Sequence, residues 1–237
     1  MTRSPLNSYS RTSPGNVREL NEDAFIDRPA EGVFAVADGM GGHSAGDVAS
    51  NKLVEALGKI KNPDRLSELV EFAEYHILRV NKELYEFGQS NQQITGSTVV
   101  ALLVVEDFCA YVWAGDSRLY RARDGKLEQL TTDHTQTELY IEMGLIDKTD
   151  ADKFSSRNRI TRAVGAAADL VLDVEVEQLK PGDRFLLCSD GLDKHLSHED
   201  IASLLSSGSP KNASQELINT TLDRGANDNV TVCVVDV

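Results

Sequence analysis

The spacing of apolar residues along the chain predicts strands and helices in separate blocks. Two strand-like stretches precede Asp38, and residues 33–37 form a continuous apolar run with the length of a buried strand. Apolar residues then recur at helical spacing over residues 47–60, and again over residues 66–87 after Pro63. We therefore expect two helices laid against a sheet.

The second block, which begins near Gly96, has the composition and length of strands separated by short polar breaks. The strands predicted there cover residues 98–105, 108–114, 118–122 and 126–130, and further strand signals follow at residues 171–176, 184–188 and 230–235. Such short connections favour antiparallel pairing. A late helix is indicated by the spacing of Ala213, Leu217, Ile218 and Leu222. Strand blocks between pairs of helices indicate an α+β layered domain.

Length and cysteine usage narrow this picture. The chain has 237 residues, is 41% hydrophobic and has no linker-like or repetitive stretch, so we expect a single domain over residues 1–237. Its three cysteines are widely separated and each lies in an apolar run, which is typical of core residues and not of a disulfide or zinc set. They are Cys109, Cys188 and Cys233.

Charge and hydropathy exclude some partners. The net charge of −14 argues against nucleic acid or an anionic membrane surface. The longest apolar run, residues 99–105, is too short to span a bilayer, and the N-terminal residues lack the apolar core of a secretory signal. We therefore expect a cytoplasmic protein without a membrane partner.

Carboxylates recur at the ends of the predicted strands. Asp38 follows the first apolar run, and three of the next four residues are glycines, which allow unusual backbone conformations and close approach to a ligand. An isolated Asp-Gly pair is also ordinary turn chemistry. The arrangement recurs at Ser189-Asp190-Gly191, and further acidic junctions lie at Asp116, Asp228 and Glu22-Asp23. Five such junctions, with too little lysine nearby to neutralise them, favour a site for a cation that prefers oxygen ligands.

Seven motifs in order resemble one known family. They are Arg18-x-x-Asn21-Glu22-Asp23, Asp38-Gly39-Met40-Gly41-Gly42-His43, Gly96-Ser97-Thr98, Gly115-Asp116-Ser117-Arg118, Thr132-Asp133-His134, Ser189-Asp190-Gly191 and Asp228-Asn229. The series spans essentially the whole chain and resembles the metal-dependent serine/threonine phosphatases of the PP2C (PPM) family in their compact bacterial form. That resemblance implies a four-layer α/β/β/α sandwich, with two central antiparallel sheets flanked by helix pairs. Residues 135–158 resemble the flap beside the family's active site.

The resemblance also implies a two-metal centre at one end of the sandwich. Asp38 resembles the carboxylate that bridges two Mn²⁺ or Mg²⁺ ions, and Gly39 resembles the residue that offers its backbone carbonyl. Asp190 and Asp228 match further carboxylate ligands of one ion. The chemistry of the residues agrees, because hard oxygen ligands favour Mg²⁺ or Mn²⁺ over zinc, and no His or Cys ligands are clustered in the sequence.

Three more acidic residues match positions around that centre. Asp23 matches an N-terminal acidic position that acts on a metal directly or through water, and Glu22 is its neighbour. Asp116, together with Asp190, corresponds to a third metal site of bacterial members.

The reaction implied by the resemblance is hydrolysis of phosphoserine and phosphothreonine by attack of a metal-bridging water, without a phosphoenzyme. Two divalent cations screen the phosphate dianion and lower the pKa of a shared water. Arg18 matches the phosphate-binding arginine, whose fork can hold two phosphate oxygens in line for attack. Many eukaryotic relatives have a histidine, proposed as general acid, directly after the Asp-Gly pair, where this chain has Met40. Asp38, Arg18 and His43, the last as candidate proton donor, are therefore the predicted catalytic residues.

The partners implied by the resemblance are phosphorylated proteins, the substrates of a cognate serine/threonine kinase, and we expect a monomer. The alternative is a pseudophosphatase, a regulatory module of the same fold that binds phosphoproteins without turnover. Loss of a metal carboxylate would favour that alternative, and every matching carboxylate is present. His134, which precedes the flap, is expected to be structural and to order that loop.

Overall fold

Eleven strands and six helices form the computed structural model, which describes residues 6–41, 45–61, 64–147, 149–150 and 159–237. In chain order they are β1 (Asn7–Ser13), β2 (Asp23–Arg28), β3 (Val33–Gly41), α1 (Ala45–Leu57), α2 (Leu66–Asn91), β4 (Thr95–Ser97), β5 (Val99–Val105), β6 (Phe108–Ala114), β7 (Arg118–Arg123), β8 (Lys126–Gln129), α3 (Gln136–Glu142), β9 (Asp173–Gln178), β10 (Arg184–Cys188), α4 (Asp190–Asp193), α5 (His198–Leu205), α6 (Pro210–Asp223) and β11 (Val230–Asp236).

The strands form two antiparallel sheets. One has the order β1-β11-β10-β7-β8, and the other has the order β2-β3-β5-β6-β9, with β4 paired to the end of β3. The first and last strands of the chain, β1 and β11, pair along their whole length. This pairing brings the segment between β1 and β2 next to the residues that precede β11, although some 200 positions separate them in the sequence.

Three buried apolar clusters show how these elements are layered. Both sheets are covered on two faces, which explains why their central strands are continuously apolar instead of alternating. In β3, Val33, Ala35 and Ala37 pack toward α1 and α2, whereas Phe34 and Val36 belong to the cluster between the two sheets. Strand β11 divides its side chains in the same way between the inter-sheet cluster and α4, α5 and α6. The predicted four-layer α/β/β/α sandwich is therefore confirmed.

Some elements differ from the sequence prediction. Three strands, β1, β2 and β3, begin before Asp38 instead of two; β1 is a half-exposed edge strand with mostly polar residues, so it lacks an apolar signature. Strand β9 begins at Asp173, two residues later than expected. Helix α5 begins at His198, where Ser197 and Asp200 form a capping box whose spacing is visible in the sequence.

Other expectations can be compared directly with the described residues. Cys109, Cys188 and Cys233 are free and buried, as predicted. Helix α3 lies at the start of the flap, and residues 148 and 151–158 of the flap lie outside the described residues. A search of the described helices finds none with the length and apolar character needed to cross a membrane.

Candidate metal centre

Asp23 and Asp38 lie opposite each other, because the first residue of β2 pairs with Asp38 of β3. The backbone of Asp38 is also held from the other side. Its N–H donates to Thr98 Oγ1 at 3.0 Å, and its carbonyl accepts from the Thr98 N–H at 2.8 Å and from Ser97 Oγ at 3.0 Å. The Gly96-Ser97-Thr98 motif thus fixes the backbone that carries the Asp38 carboxylate.

Gly39 and Gly41 continue β3, so these two glycines do not adopt the unusual backbone conformations expected after Asp38. Gly39 and Gly41 pair with β4, and neither has a positive φ. Their role is close packing instead: a Cβ on Gly39 would overlap the backbone oxygen of Gly46 in α1 and would lie 2.7 Å from the backbone oxygen of Glu22. Only a residue without a side chain lets β3 approach the first turn of α1 this closely. His43, the candidate proton donor, lies outside the described residues.

The carboxylate of Asp23 is buried, and only one of its two oxygens has hydrogen-bond partners among the described residues. Its Oδ2 accepts hydrogen bonds from the hydroxyls of Ser189 and Thr231, both at 2.7 Å. Its Oδ1 is buried and has no hydrogen-bond partner among the described residues. Burial raises the pKa of Asp23 to about 6, although the two hydroxyls favour the ionised form. An acceptor left without a donor in the interior is available to a cation.

Asp190 and Asp228 are brought together by folding and share a lysine. Asp190 is the first residue of α4, and Asp228 lies just before β11, which begins at Val230. Lys194 Nζ lies 2.6 Å from Asp190 Oδ2 and 3.1 Å from Asp228 Oδ2. Arg18 Nε lies 3.0 Å from the other oxygen of Asp228. Lys194 therefore contacts two of the predicted junctions, but its single charge does not neutralise all five.

Asp116 lies beside a second ion-pair network. The Arg118 guanidinium makes a bidentate contact with Asp133 at 2.7–3.0 Å, and its Nη1 lies 2.8 Å from Asp193 Oδ2. Asp116 itself is buried, and its Oδ1 has no hydrogen-bond partner within the described part of the chain. Burial, followed by the charges of Asp190 and Asp133, raises the pKa of Asp116 to about 7.

The electrostatics of Asp38 show that these carboxylates surround it. Burial raises the pKa of Asp38 well above its usual value, and the charges of Asp23, Asp190, Asp116 and Asp228 raise it further. Mutual repulsion of this kind favours a cation in the middle of the group. The structure thus brings Asp23, Asp116, Asp190 and Asp228 close enough to act on Asp38, and Glu22 lies within range of the charge of Asp228.

Glu22 faces the beginning of α1 and is tied to the motif before β11. The backbone N–H of Gly46 hydrogen-bonds to the Glu22 carboxylate, whose pKa is nevertheless raised, mainly by burial. The Glu22 N–H donates to Asn229 Oδ1 at 2.8 Å, and Asn229 Nδ2 donates to the carbonyls of Pro14 and Leu20. Asn229 therefore holds the segment that carries Arg18, Glu22 and Asp23 against the metal centre.

The donor chemistry of this group fits Mg²⁺ or Mn²⁺. Its potential ligands are carboxylate and carbonyl oxygens, and two buried carboxylate oxygens, Asp23 Oδ1 and Asp116 Oδ1, have no hydrogen-bond partner in the described part of the chain. Across the described residues, no three His, Cys, Asp or Glu side chains are arranged to hold one ion as they stand. Ligation by Asp190 and Asp228 would therefore require their contacts with Lys194 to break.

His134 fixes the start of the flap, the structural role expected for it. Its Nδ1 accepts a hydrogen bond from the Gly115 N–H at 3.1 Å, so the proton of the neutral ring is on Nε2, which lies 3.1 Å from Asp173. The ring stacks on Trp113 with 6.0 Å between centroids. Residues 135 and 160 are joined by an isolated antiparallel bridge, so the start of the flap lies next to the residues that follow it.

Two residues at the site, Lys194 and Asp193, were missed by sequence reasoning. Lys194 follows Asp190 by four positions, which is the spacing of an ion pair on a helix, and α4 begins at Asp190. That spacing is visible in the sequence. Its contact with Asp228 is not, because the two residues are 34 positions apart and meet only through the fold.

Comparison with known proteins agrees with this geometry. The family model described as Protein phosphatase 2C matches residues 15–226. The chain is 32% identical over 241 residues to the serine/threonine phosphatase stp of Listeria monocytogenes, covering 98% of this chain and 96% of the relative. The structure of PppA, described as a key regulatory component of T6SS in Pseudomonas aeruginosa, superposes with a TM-score of 0.92 at 36% identity over 98% of both chains.

A further solved relative contains the expected metal. It is the catalytic domain of the serine/threonine protein phosphatase PstP in complex with two manganese ions, with a TM-score of 0.87 and 32% identity over 98% of this chain and 97% of that one. The family predicted from the seven motifs is thereby confirmed: the chain belongs to the protein phosphatase 2C family of metal-dependent phosphoprotein phosphatases.

Proposed function

We propose that this chain hydrolyses phosphoserine and phosphothreonine in proteins by direct attack of water, without a phosphoenzyme. The observation that best supports this is the group of carboxylates around Asp38, in which Asp23 and Asp116 keep buried oxygens that lack a partner among the described residues. When bound, two Mn²⁺ or Mg²⁺ ions would supply the charge that screens a phosphate dianion and activates the attacking water.

The ligand roles that we propose follow the predicted ones. Asp38 would bridge the two ions, with the backbone carbonyl of Gly39 as a further ligand. Asp190 and Asp228 would bind one ion through their carboxylates. Asp23 would act directly or through water, which is consistent with its buried and unpartnered Oδ1.

Two further acidic residues have less direct roles in the proposal. Asp116 would hold a third ion together with Asp190, whose charge acts on Asp116 in the folded protein. Glu22 would support the centre from its place against the first turn of α1, where the Gly46 N–H hydrogen-bonds to it.

Arg18 is the proposed phosphate-binding residue. It contacts Asp228 through Nε at 3.0 Å, and 54% of its side chain is exposed. A guanidinium in this position can make paired hydrogen bonds to two phosphate oxygens. His43 remains the candidate proton donor from the sequence.

The proposed substrates are phosphoproteins made by a cognate serine/threonine kinase. The names of the relatives support this class, since stp and PstP are both serine/threonine phosphatases. We further propose that the flap at residues 135–158 contributes to substrate choice and that the protein acts as a monomer in the cytoplasm. Light scattering after size-exclusion chromatography would test the oligomeric state.

The function is tested by hydrolysis of a chromogenic phosphate ester and of a phosphothreonine peptide with Mn²⁺, before and after chelation. We expect turnover of both substrates that is lost with chelator and restored by Mn²⁺. Asp38→Asn should abolish it, whereas Asp124→Asn, which removes the same charge in the β7–β8 turn, should not.

Three outcomes would contradict parts of the proposal. Metal-independent turnover, or full activity of Asp38→Asn, would refute the metal mechanism. Label retained on the protein after quenching a reaction with phosphorus-labelled peptide would show a phosphoenzyme. Absence of turnover on either substrate would favour the alternative, a phosphoprotein-binding module of the same fold.

A further inference from the structure

Lys194 occupies a central place in the metal centre that the proposed reaction does not use. It is the C-cap residue that directly follows α4, and its ammonium bridges two carboxylates, at 2.6 Å from Asp190 Oδ2 and 3.1 Å from Asp228 Oδ2. Only 28% of the Lys194 side chain is exposed, compared with 54% for Arg18. Lys194 is therefore more enclosed than Arg18, which also contacts Asp228.

The two carboxylates bridged by Lys194 are among those proposed as metal ligands. A divalent cation needs carboxylate oxygens at about 2.0–2.6 Å, and it usually takes an oxygen from each of several residues. An ammonium that donates hydrogen bonds to the same oxygens is positively charged, as the metal ion is, and would repel the ion at close range. The ammonium and a metal ion therefore cannot both occupy the space between Asp190 and Asp228.

From this geometry we infer that Lys194 is an internal counter-cation that competes with a divalent ion for Asp190 and Asp228, an inference that rests on the proposed metal centre. The lysine stabilises the paired carboxylates before the ion arrives and must swing away when the ion binds. Its flexible four-carbon stem and partial exposure allow that movement. Metal affinity is thereby lowered, so that occupancy of the centre depends on the concentration of free cation.

A purely structural role for Lys194 makes a different prediction. If the lysine only tethers α4 to the residues before β11, its removal would loosen both ligands, and metal affinity would fall or stay the same. Competition predicts the opposite sign, because removal of the competing charge favours the ion. The direction of the change in metal affinity therefore separates the two roles.

The experiment is a calorimetric titration of the chelator-treated full chain with Mn²⁺. Lys194→Met should lower the Kd for the competing site by about tenfold, the equivalent of about 1.4 kcal/mol. Lys194→Arg keeps the charge and should bind Mn²⁺ with a Kd close to that of the wild type. The control is Lys52→Met, which removes the same charge from an exposed ion pair, Lys52 Nζ to Glu83 Oε2 at 2.6 Å, outside the centre.

Thermal melting provides an independent measurement. In chelator, Lys194→Met should melt below the wild type, because Asp190 and Asp228 lose their shared partner. The rise in Tm produced by a fixed concentration of Mn²⁺ should be larger for Lys194→Met than for the wild type or Lys52→Met, because tighter binding stabilises the folded state more.

The outcomes separate this inference from the function on which it rests. If the wild type binds Mn²⁺ and Lys194→Met has the Kd of Lys52→Met, or a weaker one, the competition is refuted while the metal centre stands. If the wild type takes up no Mn²⁺ in the titration, the proposed metal centre fails and this inference fails with it.

Discussion

Replacement of Ser189 tests how the buried carboxylate of Asp23 is stabilised in this centre. Ser189 is fully buried, donates to Asp23 Oδ2 at 2.7 Å and accepts from the backbone N–H of Thr231 at 3.0 Å. It precedes α4, yet its hydroxyl does not cap that helix. Ser189→Ala would therefore remove one hydrogen bond to a carboxylate and leave the Thr231 N–H without its acceptor.

The magnitude follows from these two contacts. A hydrogen bond to a charged group contributes about 1.5–3 kcal/mol, and a buried donor left unsatisfied costs about 1–3 kcal/mol. The hydroxyl of Thr231 still donates to the same oxygen of Asp23 and retains part of the first contribution. We expect Ser189→Ala to lower the free energy of unfolding by about 3 kcal/mol. For a protein of this length, that corresponds to a fall in Tm of about 6–12 °C.

Thermal and urea denaturation in chelator at pH 8, where Asp23 is ionised, would measure this loss. The matched control is Ser214→Ala: Ser214 is also fully buried, but its hydroxyl donates to the backbone carbonyl of Tyr9 at 3.0 Å. Loss of that uncharged hydrogen bond should cost about 1 kcal/mol. If Ser189→Ala loses no more stability than Ser214→Ala, the argument that Ser189 supports a buried carboxylate is wrong.

Three further predictions concern the residues around the centre. Gly39→Ala should lower the free energy of unfolding by about 1–3 kcal/mol in urea, because its Cβ would overlap the backbone of Gly46; an unchanged midpoint would refute close packing as the reason for this glycine. Burial lowers the pKa of His134, so the unfolded chain takes up that proton first and the wild type loses stability as the pH falls below about 6.5. His134→Gln should lose less stability over the same pH range, and parallel profiles of Tm against pH would count against this. Arg118→Lys should lose about 1–2 kcal/mol by thermal melting, since an ammonium cannot reproduce the bidentate contact with Asp133; equal stability would show that this contact is not needed.

Local patterns were sufficient for much of the fold. The continuous apolar run at residues 33–37 and the helical spacing of α2 reflect burial on two faces of a strand and on one face of a helix, and such burial leaves a regular signature in the sequence. Strand β1 has no such signature because it is a half-exposed edge strand, and its position is set by pairing with β11.

The candidate site likewise has features that the sequence predicts and features that depend on tertiary packing. Its carboxylates were predicted because each lies at a strand end in a recognisable motif, and the fold brings those around Asp38 together. The unusual backbone conformations expected for the glycines after Asp38 are not found at Gly39 or Gly41. Gly39 is required because the backbone of α1 occupies the space that a side chain at this position would need.

The amino-acid order alone thus established the family, the four layers and the identity of the acidic residues, because these depend on short motifs and on periodic burial. The tertiary structure was needed to show which charges meet. Lys194 contacts Asp228, and Ser189 contacts Asp23 from 166 positions away. The first contact depends on the pairing of β10 with β11 in one sheet, and the second depends on the packing of that sheet against the other. A side chain's partner across either interface leaves no periodic trace in the sequence.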